Sequence, residues 1–293
     1  TSTRTRSSAA LRTPSCSSSS AVWFSALRRS GREIVRRPTP PAAIFSQLQQ
    51  FFEIRAVSAD AADIPAEIGV LVLVHPKQLP ERTLYAIDQF AMRGGRLLVF
   101  VDPHAESEMG RGGPMAMAAQ TSSELTKLFD AWGIEMVPDR QVGDRLAARR
   151  VNAGTEARVR AVDYVLWLSL REQNFDRTDV LLTEANVIQM ASAGILRKKD
   201  GAAIEFQLAT FQPSGESLVV AARLRGTIAS AFEAAPAPEA GQDAPANPQP
   251  HLARSQGPFN AIVIADTDML DDRFWVTTQE FFGQRVAVPA AYN

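Results

Sequence analysis

The near-continuous apolar run IGVLVLV, residues 68–74, predicts a strand covered on both faces. After Pro80 the spacing becomes helical. Leu84, Ile87 and Ala91 recur on one face, with Tyr85 and Met92 beside them. Pro80 suits a first helical turn, and Gly94-Gly95 supplies a stop. RLLVFV (96–101) then predicts a second buried strand, so residues 68–101 read as a β-α-β unit with parallel strands.

The same reading extends along the chain. Ile44, Phe45, Leu48, Phe51 and Phe52 fall at helical spacing, and EIRAV (53–57) reads as a short strand. Residues 104–120 hold Gly, Met and Ala without a period and predict a mobile loop. TSSELTKLFDAWGI (121–134) predicts a helix capped by Ser or Thr, with Glu124 in its first turn and Gly133 at its stop. From 135 to 228 the pattern is strand-like. Candidates lie at 161–168, 186–190, 203–208 and 217–223, with turns at Asp200-Gly201 and Pro213-Ser214-Gly215. The Ala/Pro/Gln-rich segment 233–257 predicts a linker or exposed loop. NAIVIADTDMLDDRFWV (260–276) returns to strand, polar tip and helix.

These elements predict an α/β fold: a mostly parallel sheet with flanking helices, plus a more strand-rich middle section. Strands near 69–74, 96–101 and 260–265 are expected to lie parallel in one sheet. The expected division is a leader over 1–38, an α/β domain over 39–232, the loop 233–257, and a returning strand and helix of the same domain over 258–293.

Charge separates the first part of the chain from the rest. Residues 1–40 hold eight arginines and one acid, a net +7, and the remainder carries −8. Residues 1–38, rich in Ser, Thr and Arg, imitate an organellar transit peptide. Without sustained periodicity they read as a leader, disordered or foreign to the domain. The mildly acidic body argues against a nucleic-acid partner. The one cysteine, Cys16, lies in the leader, which excludes a CxxC metal site and a cysteine nucleophile in the body. No stretch approaches the roughly 20 apolar residues of a membrane span, so the chain as given reads as soluble.

Three strands end in polar tips: His75-Pro76-Lys77, Asp102-Pro103-His104 and Asp266-Thr267-Asp268. Ligands of open parallel sheets bind outside the carboxyl ends of strands. His75, Asp102, Asp266 and Asp268 are therefore the candidate ligand-binding residues, and converging carboxylates could hold a divalent cation. The competing reading is that each aspartate closes its own turn through side-chain oxygens. Asp102 is expected to take this structural role. Arg93-Gly94-Gly95 follows a helix, whereas phosphate loops precede one, and GxSxG, HExxH and P-loop lysine motifs are absent.

A family resemblance rests on several stretches in order. They are PPAAIFSQLQQFFEIRAVSAD (40–60), PAEIGVLVLVHPKQLPERTLYAIDQFAMRGGRLLVFVDPHAE (65–106), LFDAWGIE with VGDRLAARRV, DYVLWLSL (163–170), ASAGIL (191–196) and ADTDMLDDRFWV (265–276). Over about residues 40–293 the chain resembles the GldG-like auxiliary component of ABC-type transport systems linked to gliding motility. The resemblance implies a class I glutamine amidotransferase-like (flavodoxin-like) core on the extracytoplasmic, periplasmic side of a bacterial cell membrane. It implies ABC permease and ATPase subunits as partners, and membrane anchors that are absent from this chain. A related domain occurs in an intraflagellar-transport subunit, where it serves assembly. The amidotransferase nucleophile is a cysteine after a strand, and no cysteine stands in 40–293. The expectation is a non-enzymatic auxiliary subunit acting through protein or ligand contacts, with no catalytic residue, cofactor or metal. The alternative is a hydrolase or metal-dependent enzyme acting through Asp102, Asp266, Asp268 and His75.

Overall fold

A computed structural model describes residues 20–25, 43–109, 121–152, 160–175, 187–199, 204–211, 217–237, 249–281 and 283–289. Its first elements are β1 (Ser20–Ser25), α1 (Ala43–Leu48), β2 (Glu53–Ala56), β3 (Ile68–Val74), α2 (Glu81–Met92) and β4 (Arg96–Phe100). The β-α-β unit forms as its pattern predicts, with β3 parallel and adjacent to β4. Ile87 and Ala91 of α2 are fully buried, with Leu84 packed against the same core. Gly94 stops the helix at φ +89°, a left-handed conformation that costs glycine nothing.

The second half adds α3 (Glu106–Met109), α4 (Thr126–Trp132), β5 (Ile134–Gln141), β6 (Ala148–Asn152), β7 (Ala161–Arg171), β8 (Val187–Ala191), β9 (Gly194–Lys198), β10 (Ile204–Phe211), β11 (Leu218–Gly226) and β12 (Phe259–Ile264). The short helix α5 (Asp272–Trp275) and the hairpin β13 (Val276–Phe281) and β14 (Gln284–Pro289) follow. Among the described residues one sheet runs β2-β1-β3-β4-β12-β11-β9-β5, with β10 also on β11. A second sheet is β6-β7-β8.

The main sheet is mixed rather than mostly parallel. Pairs from β2 to β12 are parallel, while β12–β11, β11–β9, β9–β5 and β10–β11 are antiparallel. The reversal falls at the pairing of β11 with β12. A parallel return would need a crossover, usually a helix. The three strands expected to be parallel are so: β12 lies beside β4 with Ala261 opposite Leu97 and Val263 opposite Val99.

Alternation along the strands separates two cores. Leu73, Val99, Val263 and Leu224 join α2 and α4 in one, where Trp132 lies 5.3 Å from the Phe259 ring. Ile195 and Val220 project the other way, toward Leu168 and Met190 of the second sheet. Full burial of each such side chain contributes on the order of 2 kcal/mol.

Four other expectations change. Ser20–Ser25 lies between β2 and β3, so the structureless reading of 1–38 does not hold there. AVWF within it has high strand propensity, which the Arg- and Ser-rich average conceals. The helix expected over 121–134 spans only Thr126–Trp132, and its N-cap position falls on Leu125, whose side chain has no acceptor, while Ser123 is engaged with His75. Of segment 233–257, residues 233–237 and 249–257 are described; they form no helix or strand element, and the chain on both sides is tied to α2. Ser230 and Ala231 donate to Asp88, and Leu252 exchanges hydrogen bonds with Gln89. The helix expected after the 260–265 strand shrinks to α5, where Asp271 caps Arg273 N–H. The turns placed at 200–201 and 213–215 lie outside the described residues, as does 110–120 of the expected loop.

Candidate functional site

The tips of β4 and β12 bring Asp102, Asp266 and Asp268 together. One oxygen from each lies within 4.8 Å of the others, and all three residues are fully buried. The β4–β12 pairing sets this geometry: Phe100 pairs with Ile264, and each strand ends with an aspartate two residues later.

Each carboxylate is met by hydrogen-bond donors. Asp102 Oδ1 accepts from His104 N–H at 2.8 Å, an Asx-turn as expected. Its Oδ2 accepts from both the N–H and the hydroxyl of Thr267, each at 2.8 Å. Asp266 Oδ2 accepts from Ala191 N–H at 2.6 Å and Oδ1 from Met269 N–H at 3.0 Å. Asp268 spans the start of α3, accepting from Glu106 N–H at 2.7 Å and Ser107 N–H at 2.8 Å. Arg273 stands 3.7 Å from Asp268, beyond direct hydrogen bonding.

Two forces oppose each other here. Donors aimed at both oxygens favour the anion, whereas burial and neighbouring acids favour the neutral acid. Burial prevails. It raises the Asp102 pKa to about 7 against the bonds from Thr267 and His104. Asp266 is pushed well above the usual carboxylate range by burial and then by the Asp102 charge. Asp268 is raised too, by burial, with Ser107, Glu106 and Arg273 pulling the other way.

His75 does not join the acids' coordination group. Its Nδ1 lies 2.7 Å from Ser123 Oγ, and that hydroxyl accepts from Asp102 N–H at 2.9 Å. His75 therefore reaches Asp102 through Ser123 and the main chain. Both His75 and Ser192 hold positive φ, +50° and +56°, so two non-glycine residues in left-handed conformation flank the cluster. Gly194 permits the packing beside it. A Cβ there would meet Pro103 Cδ at 2.9 Å.

Four contributors escaped sequence reasoning. Ser123 reads as a helix cap, and Thr267 is the spacer of a DxD. Glu106 sits in a loop-like stretch, yet its carboxylate accepts from Trp167 Nε1 at 3.1 Å and Ser192 Oγ at 2.6 Å. Ala191 contributes only its main chain. The quoted ADTD, DPHAE and ASAGIL stretches contain three of the four. Their pairing across 75 to 165 positions has no local signature.

The oxygen spacing is compatible with one cation, whose oxygen ligands lie roughly 2.0–2.6 Å from it. Binding would require these oxygens to share or release their N–H donors. As drawn, the network joins the tips of β4 and β12 to α3 and to the β8–β9 turn.

This architecture is an α/β domain with a mixed main sheet, a small antiparallel sheet and a polar knot at the strand tips. A family model described as an ABC-type uncharacterized transport system matches residues 25–211 and 205–293. The chain belongs to this family and is an auxiliary component of an ABC-type transport system. No curated protein matches the sequence. Among solved structures, the mmIFT52 N-terminal domain is similar at 10% identity and TM-score 0.45, over 87% of this chain and 89% of that one. Among the described residues no helix is long and apolar enough to cross a membrane.

Proposed function

We propose that this domain is a non-enzymatic assembly element of its ABC-type transport complex. It would stand on the extracytoplasmic side and contact the permease and ATPase subunits, in a setting that includes gliding motility. A glutamine amidotransferase-like core is part of the reading. The carrying observation is the closed state of the strand tips. Where an α/β enzyme of this type presents reacting groups, Asp102, Asp266 and Asp268 are fully buried and their oxygens meet backbone donors. Such a knot rigidifies a surface rather than turning over a substrate. The absence of cysteine from 40–293 removes the amidotransferase nucleophile.

Co-purification tests the proposal. Membrane-anchored full-length protein should retain a permease and an ATPase subunit in mild detergent. Recovery without either, under conditions that hold the permease and ATPase together, would refute it.

The 4.8 Å convergence of three acids favours a second reading, a metal-dependent enzyme. Calorimetric titration with Mg²⁺, Ca²⁺ and Mn²⁺ separates the two. Binding in wild type that vanishes in Asp102→Asn would support the metal reading, and heat-silent titrations would support the assembly reading.

A further inference from the structure

The small sheet carries a feature that the strand-tip knot does not use. β6 lies at the edge of the β6-β7-β8 sheet and pairs with β7 alone among the described residues. A groove of about 610 Å³ runs over this pair, lined by Glu106, Arg149, Val151, Val162, Tyr164 and Trp167 among others. Register puts Arg149 opposite Tyr164 and Val151 opposite Val162, so these four share one face. Tyr164 and Val165 are among the chain's exposed large hydrophobics. An edge strand beside exposed apolar surface is a template for another strand.

Charge narrows the choice of strand. The Arg149 guanidinium lies 5.9 Å from the Trp167 ring centre and 5.6 Å from that of Phe274, and it donates to Gln189 Oε1. Among the described residues no carboxylate pairs with it, and burial lowers its pKa, the mark of a cation partly stripped of water. Glu106 lines the same groove and keeps its charge, but its oxygens are turned to Trp167 Nε1 and Ser192 Oγ and form no ion pair with Arg149. Arg150 also borders the groove, but its cross-strand neighbour is the acid Asp163, whereas that of Arg149 is Tyr164. The groove therefore offers an incoming acid two guanidinium groups, of which Arg149, set over the Trp167 and Phe274 rings, is the one without an acidic cross-strand neighbour.

We propose that the outer edge of β6 receives an extended acidic segment of a partner protein, with a Glu or Asp opposite Arg149 and an apolar residue two positions away over Val151. The added strand takes up the outer N–H and C=O groups of β6, while its acid supplies the counter-ion that Arg149 lacks. Main-chain bonds give affinity, and the alternate side chains give selectivity. This goes beyond the assembly reading and stands or falls without it.

Fluorescence anisotropy with the full chain tests the idea, using a labelled short peptide of alternating glutamate and valine and a lysine–valine counterpart. The acidic peptide should bind at least about tenfold tighter, the gap narrowing as salt rises. Arg149→Gln should weaken it about tenfold or more, as loss of a charge-assisted bond predicts, and Arg150→Gln should weaken it less. N-methylation of alternate peptide amides, which leaves the protein untouched, should abolish binding. Hydrogen exchange should slow at β6 amides on binding. Equal affinity for both peptides, binding that survives Arg149→Gln in a folded variant, or protection confined to another strand would overturn the proposal. So would stronger competition by a polygalacturonate chain than by the acidic peptide, which would assign the groove to saccharides.

Discussion

The carboxylate of Asp266 accepts a hydrogen bond from the Ala191 N–H at 2.6 Å, joining the tip of β12 to the end of β8 across 75 positions of sequence. Both residues are fully buried, so no water competes for the donor. The other Asp266 oxygen holds Met269 N–H. Asp266→Ala strands two buried donors, and the relief of a buried acid offsets only part of that. The expected loss is about 2–3 kcal/mol. Urea denaturation measures it, and an unchanged midpoint would mean that the donors find other acceptors.

A second junction is made by α2. Asp88 is fully buried and accepts from Ser230 Oγ at 2.7 Å and Ala231 N–H at 2.9 Å. Asp88→Ala should free the stretch after β11 from the helix, at a cost of about 2 kcal/mol. Limited proteolysis should then cut within 228–258 much faster than in wild type. Equal cleavage rates would show that the Tyr85–Phe232 and Tyr85–His251 ring contacts suffice to hold it.

Legibility followed the range of each interaction. β3, α2 and β4 were readable because burial there imposes a local period, and Asp102 was readable because its Asx-turn spans two residues. The convergence of Asp102, Asp266 and Asp268 was legible only as three similar strand ends. β5, β6 and β9 went unread. Their burial is uneven, as in β5 where exposed Pro138, Asp139 and Arg140 interrupt the pattern. Ser123 illustrates the remaining limit. A serine before a helical run fits a cap, yet here its hydroxyl serves His75 and Asp102, a choice decided by distant chain.

The place of β1 between β2 and β3 reverses one expectation. A structureless leader could be removed with little effect. A strand in the middle of a parallel run cannot, because its loss exposes the β3 edge and detaches β2. Deleting residues 1–38 should lower the thermal midpoint by more than about 5 °C, roughly 2 kcal/mol or more for a domain of this size. A midpoint within a degree or two of wild type would return those residues to the status of a leader.

Asp102→Asn tests the same knot through its charge. Asparagine keeps an acceptor for His104 N–H but turns an amide toward Thr267, whose N–H and hydroxyl both donate to the present carboxylate. That double use raises the expected cost from that of a simple turn to about 1–2 kcal/mol near pH 5, where the wild-type acid is largely neutral. At pH 8 the difference should shrink, because wild type then carries a buried charge that the variant lacks.

The pH dependence of stability follows with a definite sign. Asp102, Asp266 and Asp268 all have pKa values raised on folding, Asp102 to about 7 from an ordinary value of 3.8. Between those limits the folded state holds protons that the unfolded chain has released. Stability therefore falls as pH rises through this window, opposite to the usual behaviour of a salt-bridged carboxylate. Below about pH 4 both states are protonated, and the contribution is complete and flat. Above the folded-state values it is lost, and three buried carboxylates within 4.8 Å are left to repel one another. Urea midpoints should thus decline from pH 5 to pH 8, with the slope reduced in Asp102→Asn because one of the titrating groups is gone. A midpoint that rises from pH 5 to pH 8, or a slope unchanged by Asp102→Asn, would mean that the backbone donors hold these acids ionised and that hydrogen bonding, rather than burial, sets the charge of the knot.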